Sequence, residues 1–127
     1  MDVSNDNSKN NLVQDKEGQL VGQIDETNPR VKEVIDKLRE VYDPEVAINV
    51  YDLGLIYGID VSDGKVKITM TLTFRGCPLG EIITYMVKHQ VEKLDWVKEV
   101  EVQLTFDPPW SRERIKWENI RNSSSKM

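Results

Sequence analysis

Apolar residues recur at Val31, Val34, Ile35, Leu38 and Val41, the three-and-four spacing of one helix face. Asn28 stands where a cap is wanted and Pro29 suits a first turn, so the pattern predicts a helix entering there. Asp43-Pro44 should end it, because proline disfavours helical backbone in the residue before it. The period then drops to two. "LGLIYGIDV" is strand-like and "SDG" marks a turn. "KVKITMTLT" alternates, with Val66, Ile68, Met70 and Leu72 on one face and Lys65, Lys67, Thr69, Thr71 and Thr73 on the other. Helical spacing returns in "CPLGEIITYMVKHQVEKLD", whose apolar stripe is Leu79, Ile82, Ile83, Met86, Val87, Val91 and Leu94. "VKEVEVQLTF" alternates again, with Val100, Val102, Leu104 and Phe106 inward, until "DPPW" removes the donors a ladder needs.

The order is helix, strand, strand, helix, strand, with a short helical end. Each regular strand is apolar on one face, so both helices should pack on the same side. The expected fold is a two-layer α/β (α+β) sandwich whose other sheet face is wet or used by a partner. The strand–helix–strand step from Thr73 to Glu99 is a crossover, which makes the small sheet mixed.

Composition places the edges of this unit. Residues 1–28 are polar, without an aromatic, and read as a disordered tail that cannot bury enough surface to offset its ordering entropy. The folded domain is expected over 29–118, with a flexible tail at 119–127. The net charge of −5 is uneven: residues 29–110 hold fourteen acids against ten bases, while 111–127 hold five bases against two acids. An acidic body argues against nucleic acid as a general partner, and the basic end reads as a solvated surface helix. No apolar run approaches the ~20 residues that span a membrane, and the start lacks the basic and apolar regions of a secretory signal. One cysteine excludes an internal disulfide and fits a reducing cytoplasm, the expected location.

That cysteine carries most of the candidate chemistry. Cys77 falls where a strand ends and a helix begins, and Pro78 at the first helical position makes it the expected N-cap. There the sulfur would meet orphan N–H groups and the positive end of the helix dipole, both favouring thiolate. Arg75 adds positive charge nearby, and Gly76 lets the backbone pass close. The competing reading is a buried cysteine that only packs. Spacing argues against a Cys–His dyad: His89, the only histidine, lies twelve residues along the same expected helix, about 18 Å away at the helical rise. A complete zinc site lacks its four ligands, although Cys77 could give one ligand to a shared metal or cluster.

"YDPEVAINVYDLGLIYGI" places Asp43, Glu45 and Asp52 in a loop between elements. They read either as site-lining carboxylates or as turn formers, with Asp43 opening a turn, Asp52 capping the turn at Leu53-Gly54, and Glu45 solvated. In "FDPPWS", Asp107 can turn the chain and Trp110 packs over a core edge. No glycine-rich phosphate loop is present.

Together "DPEVAINVYDLGLIY", "KVKITMTLTFRGCPL" and "FDPPWS" resemble the SufT/PaaD-like family of metal–sulfur cluster assembly proteins, in order and spacing over residues 29–112. The resemblance implies an iron–sulfur cluster assembly domain that assists delivery of clusters to client apoproteins. It makes Cys77 the reactive cysteine, Asp43 and Glu45 the acids of the DPE block, Asp52 the aspartate of the DLG block, and Thr73 the threonine before the cysteine loop. Two departures stand out. Phe74 and Arg75 replace a second threonine and a proline, and Ala47 replaces a proline after the DPE block. The extra C-terminal cysteines of the phenylacetate oxygenase branch are absent, which favours general assembly over oxygenase maturation.

The leading expectation is an accessory assembly factor, not an enzyme, with Cys77 as reactive thiolate or transient ligand and Asp43, Glu45, Asp52, Thr73 and Arg75 around it. Iron or a cluster would be held transiently and none permanently. One thiolate cannot hold a cluster that wants four ligands, so a homodimer, a small thiol, or a client must complete the set. The implied partners are the iron–sulfur assembly machinery and client apoproteins. The alternatives are an adaptor in which Cys77 is structural, and a small thiol-dependent enzyme.

Overall fold

The computed structural model describes residues 10–73 and 80–120. Its elements are β1 (Asn10–Gln14), β2 (Leu20–Asp25), α1 (Pro29–Leu38), β3 (Ile56–Ser62), β4 (Lys65–Met70), α2 (Gly80–Val91) and β5 (Glu99–Leu104), followed by a 3-10 turn at Arg112–Arg114. Among the described residues no helix is long and apolar enough to cross a membrane.

The helix start expected at Asn28 is present: its side-chain oxygen accepts from the N–H groups of Arg30, at 2.9 Å, and Val31, at 3.4 Å. Val31, Val34, Ile35 and Leu38 are buried on one face. The helix stops at Leu38, short of Asp43-Pro44, because the following residues serve another pairing. Tyr42 bridges Asn49, and Val50 N–H donates to the Val41 carbonyl at 2.9 Å. Val41 still reaches the core, but from extended chain.

β3 and β4 form the expected hairpin, turned by Asp63 and Gly64, both at positive φ (51° and 83°). This two-residue turn matches the twist of the strands it joins. β5 pairs with β4 in parallel, from Lys65↔Glu99 to Met70↔Leu104, so the sheet is mixed, in the order β3-β4-β5. Val66, Ile68, Met70 and Leu72 are buried under the helices as expected.

The stripe on α2 is narrower than the sequence pattern suggests. Gly80, Ile83, Val87 and Val91 are buried, whereas Ile82 (52% exposed) and Met86 (37%) face outward. Leu104 at the end of β5 is also exposed. Three strands give the helix too little sheet to cover its whole apolar arc.

The opposite sheet face is wet at one end and covered at the other. Lys65, Lys67, Glu99 and Glu101 are exposed there, while Thr69 and Thr71 are buried (6% and 0%). The cover corrects the reading of a disordered tail through residue 28. Residues 10–25 form the antiparallel β1–β2 hairpin, which crosses β3 where two glycines meet. A Cβ on Gly22 would lie 2.6 Å from the Tyr57 carbonyl oxygen, and one on Gly58, the partner of Thr69, 2.9 Å from the Gly22 Cα. Val13 and Ile24 supply the buried apolar surface that the polar composition hides. Residues 119 and 120 likewise do not belong to a free tail: they lie in a helical turn at 117–120, and Ile120 packs against the core. Residues 121–127 lie outside the described ones.

Candidate functional site

The DPE block is a tight loop organised by its own aspartate. Asp43 is buried (4% exposed), and its Oδ1 accepts from Glu45 N–H at 2.8 Å. Its backbone closes the loop in both directions: Asp43 N–H donates to the Ile48 carbonyl (3.0 Å), and Ala47 N–H to the Asp43 carbonyl (2.8 Å). Asp43 is therefore a turn former, and Glu45 is exposed on the same loop. Ala47 sits at φ 59°, a left-handed conformation that proline, held near −65°, cannot adopt. An Ala47→Pro substitution would also remove the 2.8 Å donor. The expected result is a loss of more than about 1 kcal/mol of stability in urea unfolding. Unchanged stability would contradict the loop geometry.

Asp52 is an internal clamp. Its carboxylate is buried (6% exposed) and accepts three side-chain donors from three segments. They are Asn49 Nδ2 on Oδ2 at 2.8 Å, and Arg39 at 3.2 Å and Asn119 Nδ2 at 3.0 Å on Oδ1. The cap of this turn is Asn49, whose Oδ1 accepts from Asp52 N–H at 2.8 Å. The Asp52 carbonyl takes the Lys116 N–H at 2.7 Å.

The third block docks on the second. Trp110 Nε1 donates to the Leu53 carbonyl at 2.7 Å, and Trp110 packs against the core as expected. Tyr57 OH donates to the Pro108 carbonyl at 2.7 Å, and the Arg114 guanidinium lies 4.6 Å from the Tyr57 ring centre. Burial pushes the Tyr57 phenol above its ordinary pKa, with Arg114 opposing the shift. Beside this cluster, burial and then the neighbouring Glu26 carboxylate hold Tyr51 far above the usual phenol range, its OH donating to Glu26. Arg39, Asn49, Tyr57 and Asn119 were not foreseen from sequence. Asn119 lies 67 positions from its partner, and no local pattern signals such a contact.

Thr73, half-buried, ends the first described stretch, and Gly80, buried, begins the second. Cys77 and Arg75, with Phe74, Gly76, Pro78 and Leu79, lie outside the described residues. The flanks of that segment are close together: a Cβ on Gly80 would lie 2.6 Å from Leu72 Cδ1. Thr71 N–H donates to the Leu55 carbonyl (2.8 Å), and Thr105 N–H to the Met70 carbonyl (2.9 Å). The start of β3 and the ends of β4 and β5 thus meet at the base of the cysteine segment. Thr73 is at that base. Asp43 and Asp52 are turned into their own hydrogen bonds, and Glu45 faces solvent. His89 is exposed on α2 and stacks on Tyr85, with ring centres 5.8 Å apart. Among the described residues no three His, Cys, Asp or Glu side chains are grouped to hold a metal ion.

Residues 32–104 match the model of a family described as iron–sulfur cluster assembly protein. That span contains Asp43, Glu45, Asp52, Thr73, Arg75 and Cys77, while the β1–β2 hairpin and the 107–120 segment lie beyond it. The chain is 47% identical over 88 residues to a Porphyromonas gingivalis protein named Fe-S protein maturation auxiliary factor, covering 68% of this chain and 84% of that one. It is 42% identical over 83 residues to the Bacillus subtilis Fe-S protein maturation auxiliary factor YitW, covering 65% and 81%. Among solved structures it is similar to a domain of unknown function, DUF59, from Bacillus anthracis, with TM-score 0.66, 33% identity, and coverage of 72% and 90%.

Proposed function

Since the chain belongs to the iron–sulfur cluster assembly family, it serves the assembly or maturation of iron–sulfur proteins, and we propose that it does so as an accessory factor through Cys77. The thiol loses its proton to solvent as sulfur bonds iron, and the cluster is cargo, passed on to a client apoprotein. Clusters are generally held by four protein ligands, and this chain has one cysteine. The remaining ligands come from a partner: assembly machinery, client, small thiol, or second copy. The supporting observation is the base of the cysteine segment, where three strand ends meet and Leu72 touches Gly80. Flanks held together in this way give the segment that carries the thiol a fixed root on the domain.

The test is anaerobic incubation with ferrous iron, sulfide and glutathione, followed by gel filtration and assay of retained iron and acid-labile sulfide. Wild type should retain both. Cys77→Ser, shown by its melting curve to be folded, should retain background only, and equal retention would end the ligand role. The exposed Ile82, Tyr85 and Met86 on α2 favour a second reading, an adaptor in which Cys77 is structural. On that reading Cys77→Ser leaves the activity of client enzymes in cells unchanged.

A further inference from the structure

β5 is an edge strand, and among the described residues nothing pairs with its outer side. Its inner amides can be identified. Glu99 N–H donates to the Gly64 carbonyl (3.3 Å) and Thr105 N–H to the Met70 carbonyl (2.9 Å). Strand alternation then turns the odd-numbered amides toward β4 and those of Val100, Val102 and Leu104 toward the open edge. Alongside that edge runs a groove of about 430 Å³, lined by Thr84, Tyr85 and Lys88 of α2 and by Glu99–Val102 of β5. One flank of α2 thus forms a wall of the groove beside the open edge. An added strand would find backbone partners along β5, and its helix-facing side chains would meet the groove wall of Thr84, Lys88 and the exposed ring of Tyr85.

We propose that this edge takes up an extended segment of a protein partner in which basic residues alternate with apolar ones. The charge pattern selects the occupant. Glu99 and Glu101 stand exposed on the solvent face of β5, and the only ion pair either makes among the described residues is the 3.8 Å contact of Glu99 with Lys65. A strand laid beside them with lysine or arginine on the same face places opposite charges across the new pairing, and its other face turns toward Tyr85 and the half-buried Val102. A second copy of this chain fits poorly, because its own β5 brings further carboxylates to the same edge. The inference rests on β5 and α2 alone and is independent of any role for Cys77.

The probe is a short fluorescein-labelled peptide of alternating lysine and valine, compared with its glutamate–valine counterpart, without iron. Fluorescence anisotropy should show the lysine peptide binding at least about fivefold more tightly. Hydrogen exchange should show new protection at the amides of Val100, Val102 and Leu104. Val102→Pro removes an outward donor while leaving the β4 ladder intact, and should abolish binding. Glu101→Lys touches no ladder bond and should shift the preference toward the glutamate peptide, which keeps the test sharp should the proline variant fold poorly. Equal binding of the two peptides, an unmoved preference in Glu101→Lys, or protection elsewhere would overturn the proposal. So would β5 protection that rises with protein concentration in the absence of peptide, since the edge would then pair with its own copy.

Discussion

Asp52→Ala should lower the unfolding free energy by about 2–4 kcal/mol, an effect expected of few single side chains in this protein. The carboxylate is buried and is the shared acceptor for Asn49, Arg39 and Asn119. Alanine leaves the buried Asn49 amide without its acceptor, while Arg39 and Asn119, partly exposed, recover some of their bonding from water. The loss is therefore dominated by Asn49 and by release of the C-terminal turn. Two measurements check it. Urea unfolding should show the midpoint falling, and limited proteolysis should cut near residues 116–120 before the body of the domain opens. Asp52→Asn keeps the volume and one acceptor oxygen but sets its amide group against either the Asn49 donor or the Arg39 and Asn119 donors, so it should fall between wild type and alanine. A loss below about 0.5 kcal/mol, the level of an ordinary surface change, would mean that the clamp does not form.

That clamp marks the boundary of what the sequence discloses. Local signals were legible: the Asn28 cap, the Asp63-Gly64 turn, the alternation of β4, and the crossover that makes β5 parallel. Each depends on residues within a few positions of one another. Asp43 was legible too as a turn former, because an aspartate that bonds the N–H two residues on is a local device. Asp52 was not, since two of its three donors, Arg39 just past α1 and Asn119 near the far end of the chain, are remote in sequence. The β1–β2 hairpin was hidden by composition. Its strands bury few side chains and rely on a glycine-on-glycine crossing that leaves no apolar trace. A signal was nevertheless present in "DKEG": Asp15 Oδ1 accepts from Glu17 and Gln19 N–H, both at 2.9 Å, and Gly18 takes φ 85°. Ile82 and Met86 misled for the opposite reason. Helical periodicity reports which residues are apolar, while the width of the sheet decides how many of them are covered.

Gly54→Ala should cost about 2–5 kcal/mol, and Gly18→Ala, at nearly the same backbone angle, only about 1–2 kcal/mol. Both glycines are left-handed, with φ 86° and 85°, so alanine pays the same conformational penalty at each. They differ in surroundings. Nothing lies within 4 Å of a Cβ on Gly18, whereas one on Gly54 would meet the Arg114 carbonyl oxygen at 2.5 Å and the Arg114 Cβ at 2.6 Å. Much of that contact is backbone, so relief requires the whole 107–116 segment to move. Trp110 then loses the Leu53 carbonyl, Tyr57 the Pro108 carbonyl, and Lys116 the Asp52 carbonyl. Near-UV circular dichroism should therefore change in Gly54→Ala and stay native in Gly18→Ala, and exchange at the Lys116 amide should accelerate only in the former. The same displacement frees Thr105 and its neighbours at the base of the cysteine segment. Iron and sulfide retention should accordingly fall in Gly54→Ala even at temperatures where the domain is still folded. Equal losses in the two variants would show that only backbone conformation matters at Gly54. Undiminished retention in a folded Gly54→Ala protein would show that the docked segment does not support the thiol.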